Sequence, residues 1–287
     1  MSMFGKKLLS SALALLFAAT ANASTLFASI GPEFTAGGGT LVVKNRDDLP
    51  SPQKYMEVND GNGYSFKGFF AGRPVGFDTG INEKGLFVSS STAASVSIAT
   101  RRHLIGKRFK TQEGVRTGEW IMRNCASVAE ALNHKELFRG YPTNFILADH
   151  HEIALVECLP NGGFVVERKS AGLVTHTNHY VLKRALAFNE AIGESSQARY
   201  NRLNTLLEET PKPYTMKDFQ KIVADDSAGP DLSLFRTGSK FKSPKTMATV
   251  IVHIPRAGAA KIFVKYLKSP STDMTNWEIE NDTFNLK

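Results

Sequence analysis

The chain has 287 residues, 42% of them hydrophobic, and a formal net charge of +8. This composition is ordinary for a folded globular protein, and the sequence shows neither the low-complexity tracts nor the fixed-period repeat that would indicate a disordered or a solenoid protein. Because no nucleic-acid-binding motif accompanies the local clusters of basic residues, these clusters indicate solvated surface, and we expect no nucleic-acid partner.

The first element along the chain is a predicted secretory signal peptide. Two lysines precede an apolar run over residues 8–19, and Ala21 and Ala23 occupy the two positions where signal peptidase prefers small residues. We therefore predict that signal peptidase removes a signal over residues 1–23 and leaves a single mature domain over residues 24–287. The apolar run is too short to span a bilayer comfortably and no second candidate follows it. We expect a periplasmic or secreted protein without membrane association after cleavage.

Cleavage after Ala23 would make Ser24 the first residue, with a hydroxyl and a free α-amine on one residue. A serine hydroxyl needs an adjacent base to act as a nucleophile. An α-amine with a pKa of about 7.7–8.0 can take the hydroxyl proton directly or through one water. Two alternatives stay open: an uncleaved signal that anchors the chain, and cleavage after Ala21, which would leave two residues ahead of the serine.

The following elements are mostly strands. Two β-prone runs over residues 25–30 and 41–45 predict a hairpin that brings Ser24 beside residues 44–47. Further strands are predicted over residues 66–70, 85–91, 144–149, 153–157, 163–167, 246–254 and 261–267. Helices are predicted over residues 118–132, 196–209 and 216–225, with a local cap formed by Ser127 and Glu130 and another by Thr215. Adjacent antiparallel strands with paired helices between them indicate an α+β domain.

Two cysteines and two histidines are candidates for other chemistry. Cys125 and Cys158 lack the spacing of a metal or redox motif, which favours two buried thiols. His176 and His179 lack a third ligand nearby, so they make a poor zinc site. We predict no metal and no cofactor.

Five short segments, in order along the chain, resemble motifs of the N-terminal nucleophile (Ntn) hydrolases, and more narrowly of the choloylglycine hydrolase and penicillin acyltransferase group with its linear amide hydrolases. The segments are Ser-Thr at 24–25, Lys-Asn-Arg-Asp at 44–47, Gly-Ile-Asn-Glu-Lys-Gly-Leu at 80–86, Thr-Asn-His at 177–179 and Ser-Ser-Gln-Ala-Arg-Tyr at 195–200. The resemblance implies a four-layer αββα sandwich of two antiparallel sheets. It also implies an amidohydrolase that cleaves a linear non-peptide C–N amide bond of a small acylated amine.

The resemblance further implies roles for four catalytic residues. Ser24 would form an acyl-enzyme, with its own amine as base. Asp47 would hold that amine by a charge-assisted hydrogen bond, Asn178 would donate a side-chain N–H to the oxyanion, and Arg199 would orient the aspartate or the amine. Acyl transfer to a second amine, and a catalytically silent binding protein on the same fold, are the alternatives. Assembly into a homo-oligomer also stays open.

The candidate substrate-binding residues are Lys44 and Asn45, which belong to the 44–47 motif, and Ser89 and Thr92, which follow the 80–86 motif. Two features depart from the group's pattern. Ser24 stands where the group usually has cysteine, and Lys44 stands where the bile-salt branch has an arginine. Because lysine lacks the bidentate fork of arginine, the role of that arginine does not transfer simply to Lys44.

Overall fold

The computed structural model describes residues 23–109, 115–268, 270 and 274–287, where strands outnumber α-helices. The strands are β1 (Ala23–Ile30), β2 (Thr40–Asp48), β3 (Gln53–Val58), β4 (Phe66–Ala71), β5 (Gly76–Asn82), β6 (Phe87–Thr92), β7 (Thr143–Ala148), β8 (Ile153–Cys158), β9 (Phe164–Lys169), β10 (Gly172–His176), β11 (Lys245–Ile254), β12 (Ala259–Leu267) and β13 (Trp277–Asn285). The α-helices are α1 (Ile98–Leu104), α2 (Thr117–Asn124), α3 (Val128–Asn133), α4 (Glu194–Glu209) and α5 (Met216–Val223). The predicted signal segment lies, apart from Ala23, outside the described residues. Within those ranges no helix is long and apolar enough to cross a membrane.

The described strands form two antiparallel sheets. One has six strands in the order β10-β1-β2-β11-β12-β13, and the other has seven in the order β3-β4-β5-β6-β7-β8-β9. The predicted N-terminal hairpin is confirmed, because β1 pairs with β2 in antiparallel register with Ser24 opposite Arg46.

Three apolar cores hold four layers together. The two sheets face each other across a core that includes Leu26, Val42 and Phe87. Helices α2 and α3 pack on the outer face of the seven-stranded sheet, and α4 and α5 pack on the outer face of the six-stranded sheet. The predicted α+β, four-layer αββα architecture is therefore confirmed.

Strand alternation decides which side of the six-stranded sheet each residue of β1 faces. Leu26 lies in the core between the sheets, whereas Phe27 packs against Phe219 of α5 with ring centroids 4.6 Å apart. Ser24 is two residues before Leu26, so its side chain points toward the space between the sheets.

The helix predicted over residues 118–132 is two helices, α2 and α3. The break follows from the local cap, because Ser127 Oγ accepts a hydrogen bond from the backbone N–H of Glu130 and the N–H of Ala126 donates to Glu130 Oε2. A cap of this kind starts a new helix rather than continuing the old one. Cys125 and Cys158 are both buried and unbonded.

The segment over residues 80–86 is a turn organised by Asn82. Its Oδ1 accepts hydrogen bonds from the backbone N–H groups of Lys84 and Leu86. Its Nδ2 donates to the carbonyls of Met122 and Cys125, at the end of α2. One side chain thus closes the β5–β6 turn and fastens it to the helix layer.

Candidate active site

A cavity of about 900 Å³ opens beside the first residues of β1. Its walls come from both sheets and from α1 and α2; Ser24 and Lys44 represent the six-stranded sheet, and Ser90 and Thr92 the seven-stranded sheet. The cavity is large enough for an organic substrate of moderate size.

Ser24 lines this cavity, and its backbone is held on both sides. Its nitrogen donates to Oδ1 of Asn178 at 2.9 Å, and its carbonyl accepts from Nη1 of Arg199 at 2.8 Å. Only 3% of the residue is exposed. The described contacts fix the position of the backbone nitrogen that maturation would convert into an α-amine.

Asn178 joins three parts of the site. Its Oδ1 accepts from Ser24 and from Nη2 of Arg199, both at 2.9 Å, while its Nδ2 donates to the carbonyl of Thr92 at 3.0 Å. Because both groups at Oδ1 are donors only, the orientation of the amide follows from its partners. The oxygen of Asn178 therefore faces the nitrogen of Ser24, whereas the resemblance implies an Asn178 N–H that faces the oxyanion.

Arg199 and Asp47 form a buried pair behind Ser24. The guanidinium of Arg199, which is 1% exposed, also donates to Thr25 Oγ1 at 2.9 Å and lies 3.8 Å from Oδ2 of Asp47. The other carboxylate oxygen of Asp47 accepts from Thr246 Oγ1 at 2.8 Å. Burial lowers the pKa of Arg199 to about 10 although Asp47 opposes this, and burial raises the pKa of Asp47. These contacts connect Asp47 to Ser24 through Arg199, not by the direct bond that the resemblance implies.

Alternation along β2 separates the residues of the Lys-Asn-Arg-Asp segment. Lys44 and Arg46 line the cavity. Asn45 points to the helix side, where its Nδ2 donates to the carbonyls of Val223 and Leu234 at 2.9 and 3.0 Å. The structure therefore gives Asn45 a structural role and does not bring it to the cavity with Lys44.

Lys44 is paired with an acid that the sequence analysis did not single out. Its Nζ lies 2.7 Å from Oδ2 of Asp78 and donates to the carbonyl of Ser90 at 2.9 Å. Asp78 also lies 3.7 Å from Nε of Arg46. Burial lowers the pKa of Lys44, and Asp78 opposes that shift. Asp78 stands two residues before the 80–86 segment, but the strand that carries it was not predicted.

The two candidates on β6 have different positions. Thr92 lines the cavity, and its carbonyl holds Asn178. Ser89 is completely buried, is paired with Thr79 and Ile146 in the sheet, and is not among the residues of the cavity wall.

The histidines around Asn178 support the segment that carries it. His176 contacts Oε1 of Glu157 through Nε2 and the Thr177 carbonyl through Nδ1, both at 2.9 Å. His179 Nδ1 lies 2.9 Å from Ser196 Oγ, and this hydroxyl accepts from the backbone N–H of Asn178 at 3.0 Å. Burial lowers the pKa of His179 to about 4, and the charges of His176 and Arg199 act in the same direction. The two rings thus fix the backbone that carries Asn178.

Positive charge dominates the described part of the cavity wall. One lining residue, Asp78, is acidic, whereas eight are basic. The basic residues are Lys44, Arg46, Arg73, Arg101, Arg102, Arg108, Arg116 and Arg139. The sequence pattern indicated solvated surface at Arg101, but this residue is buried and forms part of the wall.

The chain is similar in sequence to one known protein family. The model of the family described as acyl-coenzyme A:6-aminopenicillanic acid acyl-transferase matches residues 34–265. This match begins after Ser24, so it does not include that residue. The place of Ser24 in the cavity wall comes from the structure alone. Among curated protein sequences, none matches the chain significantly.

Solved structures share the fold at low sequence identity. A Caenorhabditis elegans ortholog of N-acylethanolamine-hydrolyzing acid amidase has a TM-score of 0.56 and 12% identity over 80% of this chain and 92% of its own. Penicillin V acylase from Agrobacterium tumefaciens has a TM-score of 0.51 and 17% identity over 88% and 86% of the two chains. A mutant of the conjugated bile acid hydrolase from Clostridium perfringens has a TM-score of 0.52 and 13% identity over 92% and 97%.

Proposed function

The chain belongs to the acyl-coenzyme A:6-aminopenicillanic acid acyl-transferase family, as its resemblance to the penicillin acyltransferase group predicted, and we propose that it is an N-terminal serine amidohydrolase. The reaction is cleavage of a linear, non-peptide amide C–N bond in a small acylated amine. The amidase, acylase and bile acid hydrolase named above share this fold, which supports a reaction at an amide bond.

One observation carries the proposal. Ser24 lines a substrate-sized cavity, and its backbone nitrogen and carbonyl are both fixed, by Asn178 and Arg199. A nucleophile that carries its own base needs this arrangement, because both groups must keep a constant position relative to the bound substrate.

The proposed reaction has two steps. Oγ of Ser24 attacks the amide carbon while the α-amine takes the hydroxyl proton. As the tetrahedral intermediate collapses, the C–N bond breaks, the α-amine gives the proton to the leaving amine, and an ester to Oγ remains. Water then attacks the ester while the α-amine takes a proton from it. The bond between the acyl carbon and Oγ breaks, the α-amine returns the proton to Oγ, and the carboxylic acid is released.

The surroundings of the amine suit this use. A base must be unprotonated, and a nearby positive charge lowers the pKa of an amine. Arg199 places such a charge against the Ser24 carbonyl, 2.8 Å from the oxygen, while Oδ1 of Asn178 accepts an N–H from the nitrogen. We infer that Arg199 keeps the amine neutral near pH 7 and that Asn178 orients its lone pair.

Maturation is part of the proposal. Export followed by signal peptidase cleavage after Ala23 would create the amine, so the active protein would be periplasmic or secreted. In the structure Ala23 is the first residue of β1 and pairs with Asp47.

Acyl transfer is the second candidate function, and the description of the family favours keeping it. Both reactions share the acyl-enzyme and differ only in whether water or another amine resolves it. Product analysis with and without an added primary amine separates them, because only a transferase forms a new amide faster than it forms the free acid.

The test of the proposed function compares serines in the same cavity. Ser24→Ala and Ser24→Cys would be assayed on a panel of acylated amines, with Ser90→Ala as the matched control, because Ser90 lines the cavity and supports Lys44 through its carbonyl alone. We expect Ser24→Ala to lose turnover, Ser24→Cys to retain part of it, and Ser90→Ala to stay close to wild type. Equal turnover by wild type and Ser24→Ala would remove the mechanism and favour a silent binding protein.

A further inference from the structure

Arg101 is a buried cation without an ion-pair partner in the described part of the chain. It lies on α1 and lines the cavity, and it is only 6% exposed. Its Nε donates to the carbonyl of Val96 at 3.0 Å, and no described carboxylate lies within ion-pairing distance of its guanidinium.

A charge in this position is costly without a partner. An ionised side chain withdrawn from water is destabilised unless hydrogen bonds or an opposite charge replace its hydration. A guanidinium has five N–H donors, of which the Val96 carbonyl accepts one. The other N–H groups of Arg101 can therefore donate hydrogen bonds to a ligand in the cavity.

A second arginine in the wall is in a similar position. Arg116 is half-buried and donates to the carbonyls of Phe77 and Pro74 at 3.3 and 2.9 Å, and no described carboxylate forms an ion pair with it. Burial lowers its pKa, Arg108 and Arg46 act in the same direction, and Asp78 and Glu119 oppose them. The positive charges on this side of the cavity therefore repel one another.

Asp78, the one acid in the described wall, offsets only part of this excess of positive charge. Asp78 lies 2.7 Å from Lys44 and 3.7 Å from Arg46, so its charge is already shared by two cations. An anion supplied by the ligand would complement Arg101 and Arg116 directly.

Apolar side chains complete the wall. Phe77, Val88, Leu137 and Phe145 line the same cavity. A small polar anion would leave this surface in contact with water, whereas an amphipathic molecule would cover it and reach the arginines at the same time.

We propose that the substrate is an amphipathic amide that carries, apart from its scissile bond, an anionic group bound by Arg101 with the assistance of Arg116. A carboxylate, a sulfonate or a phosphate has the required chemistry, and it can belong to the acyl part or to the amine part. This inference rests on the proposed function, since it assigns a substrate class to the same cavity.

The experiment measures binding rather than turnover, with the Ser24→Ala protein. Three probes share a ten-carbon acyl chain: N-decanoylethanolamine is neutral, N-decanoylglycine has its carboxylate on the amine part, and the monoethanolamide of sebacic acid has it on the acyl part. Calorimetric titration is repeated with Arg101→Gln and Arg101→Lys added, and with Arg184→Gln as control, since Arg184 is exposed and does not line the cavity.

We expect at least one anionic probe to bind about tenfold or more tightly than the neutral probe. This preference should disappear in Arg101→Gln, persist in part in Arg101→Lys and be unchanged in Arg184→Gln. The probe that binds tightly identifies the part of the substrate that carries the charge. Equal binding of all three probes, no binding of either anionic probe, or a preference that survives Arg101→Gln would overturn the inference.

Two further readouts separate the ways in which the experiment can fail. Arg101→Gln removes one described hydrogen bond, to the Val96 carbonyl, and no described ion pair. Its unfolding temperature, measured beside the titration, shows whether a loss of preference reports binding or misfolding. Ser24-dependent turnover without any preference for anionic probes would keep the proposed function and remove the anion site. Binding that depends on Arg101, without turnover, would keep the anion site and remove the proposed function.

Discussion

The backbone nitrogen of Ser24 lies 2.9 Å from Oδ1 of Asn178, a residue 154 positions further along the chain. This contact joins the start of β1 to the segment that follows β10, and Arg199 of α4 closes the group by donating to the Ser24 carbonyl and to the same Asn178 oxygen. The group is buried and fully connected. Its geometry leads to predictions about both catalysis and stability.

Asn178→Asp should change the pH dependence of catalysis. The new carboxylate keeps an acceptor beside the Ser24 nitrogen but adds a negative charge, which stabilises the protonated amine. We expect the pH at which kcat/KM is half-maximal on the acidic side to rise by about one unit or more. Activity at pH 7 should fall and recover at higher pH.

The control for this change is Asn204→Asp. Asn204 also uses both ends of its amide, with Thr175 Oγ1 and the Tyr200 carbonyl, and it does not line the cavity. The acidic side of the pH profile of kcat/KM for Asn204→Asp should match that of wild type. An unshifted limb in Asn178→Asp would show that the Ser24 amine is not the titrating base.

A double-mutant cycle on Asp47 and Arg199 should reveal strong coupling. Arg199→Met leaves the completely buried Asp47 without its nearest opposite charge, which costs about 3–5 kcal/mol of unfolding free energy. Adding Asp47→Asn should recover part of this loss, with an interaction energy of about 1–2 kcal/mol measured by urea unfolding. The partly exposed pair Arg168 and Glu152 serves as the reference, where we expect less than about 1 kcal/mol. Additive effects of Asp47→Asn and Arg199→Met would contradict the pairing.

His179 should make the fold sensitive to mild acid. Its pKa is lowered to about 4 in the folded chain, against about 6.5 in an unfolded one. Between these values the unfolded state binds more protons, so stability is complete above about pH 6.5 and falls as the pH drops toward 4. From pH 6.5 to 5 we expect a loss of about 1–2 kcal/mol that is absent in His179→Asn.

The matched control for this measurement is His103→Asn, because His103 is exposed on α1. Its pH profile of stability should follow that of wild type. If His179→Asn and wild type lose the same free energy over this interval, the buried ring does not titrate as described.

Asn82→Ala should damage the fold without damaging the chemistry. The substitution removes four hydrogen bonds that hold the β5–β6 turn to the end of α2, which we expect to cost about 2–4 kcal/mol in urea unfolding. The kcat of the folded fraction should be unchanged, since Asn82 does not line the cavity. Exposed Asn124→Ala provides the comparison, with an expected change within about 0.5 kcal/mol. A large fall in kcat with normal stability would assign Asn82 to the chemistry instead.

The sequence predicted the parts of the fold that local patterns encode. Two β-prone runs separated by glycines predicted the N-terminal hairpin. Thr215 does cap α5, with a reciprocal bond to Asp218. Two of the strands that were missed, β3 and β13, carry a weak signal. Most of β3 and β13 is polar or exposed because these strands lie at the edges of their sheets, so period-two burial is nearly absent.

The site shows where sequence reasoning ends. Ser24, Asn178 and Arg199 come from three separate motifs and contact one another in the structure. The motifs do not give the direction of each polar group. Strand alternation predicts that Lys44 and Asn45 point to opposite faces of the sheet. Only the packing of α5 against the sheet shows which of them faces the cavity. Arg101 was missed because its burial depends on the tertiary position of α1, a helix without a clear periodic signal.

The most direct test is the intact mass of the active enzyme, recorded on exported protein that is also assayed for amide turnover. We predict a chain that begins at Ser24 with an unmodified amine, and a matching loss of turnover when that amine is selectively blocked. An active enzyme that retains residues ahead of Ser24, or that works equally well with a blocked amine, would contradict the central claim that one terminal serine supplies both nucleophile and base.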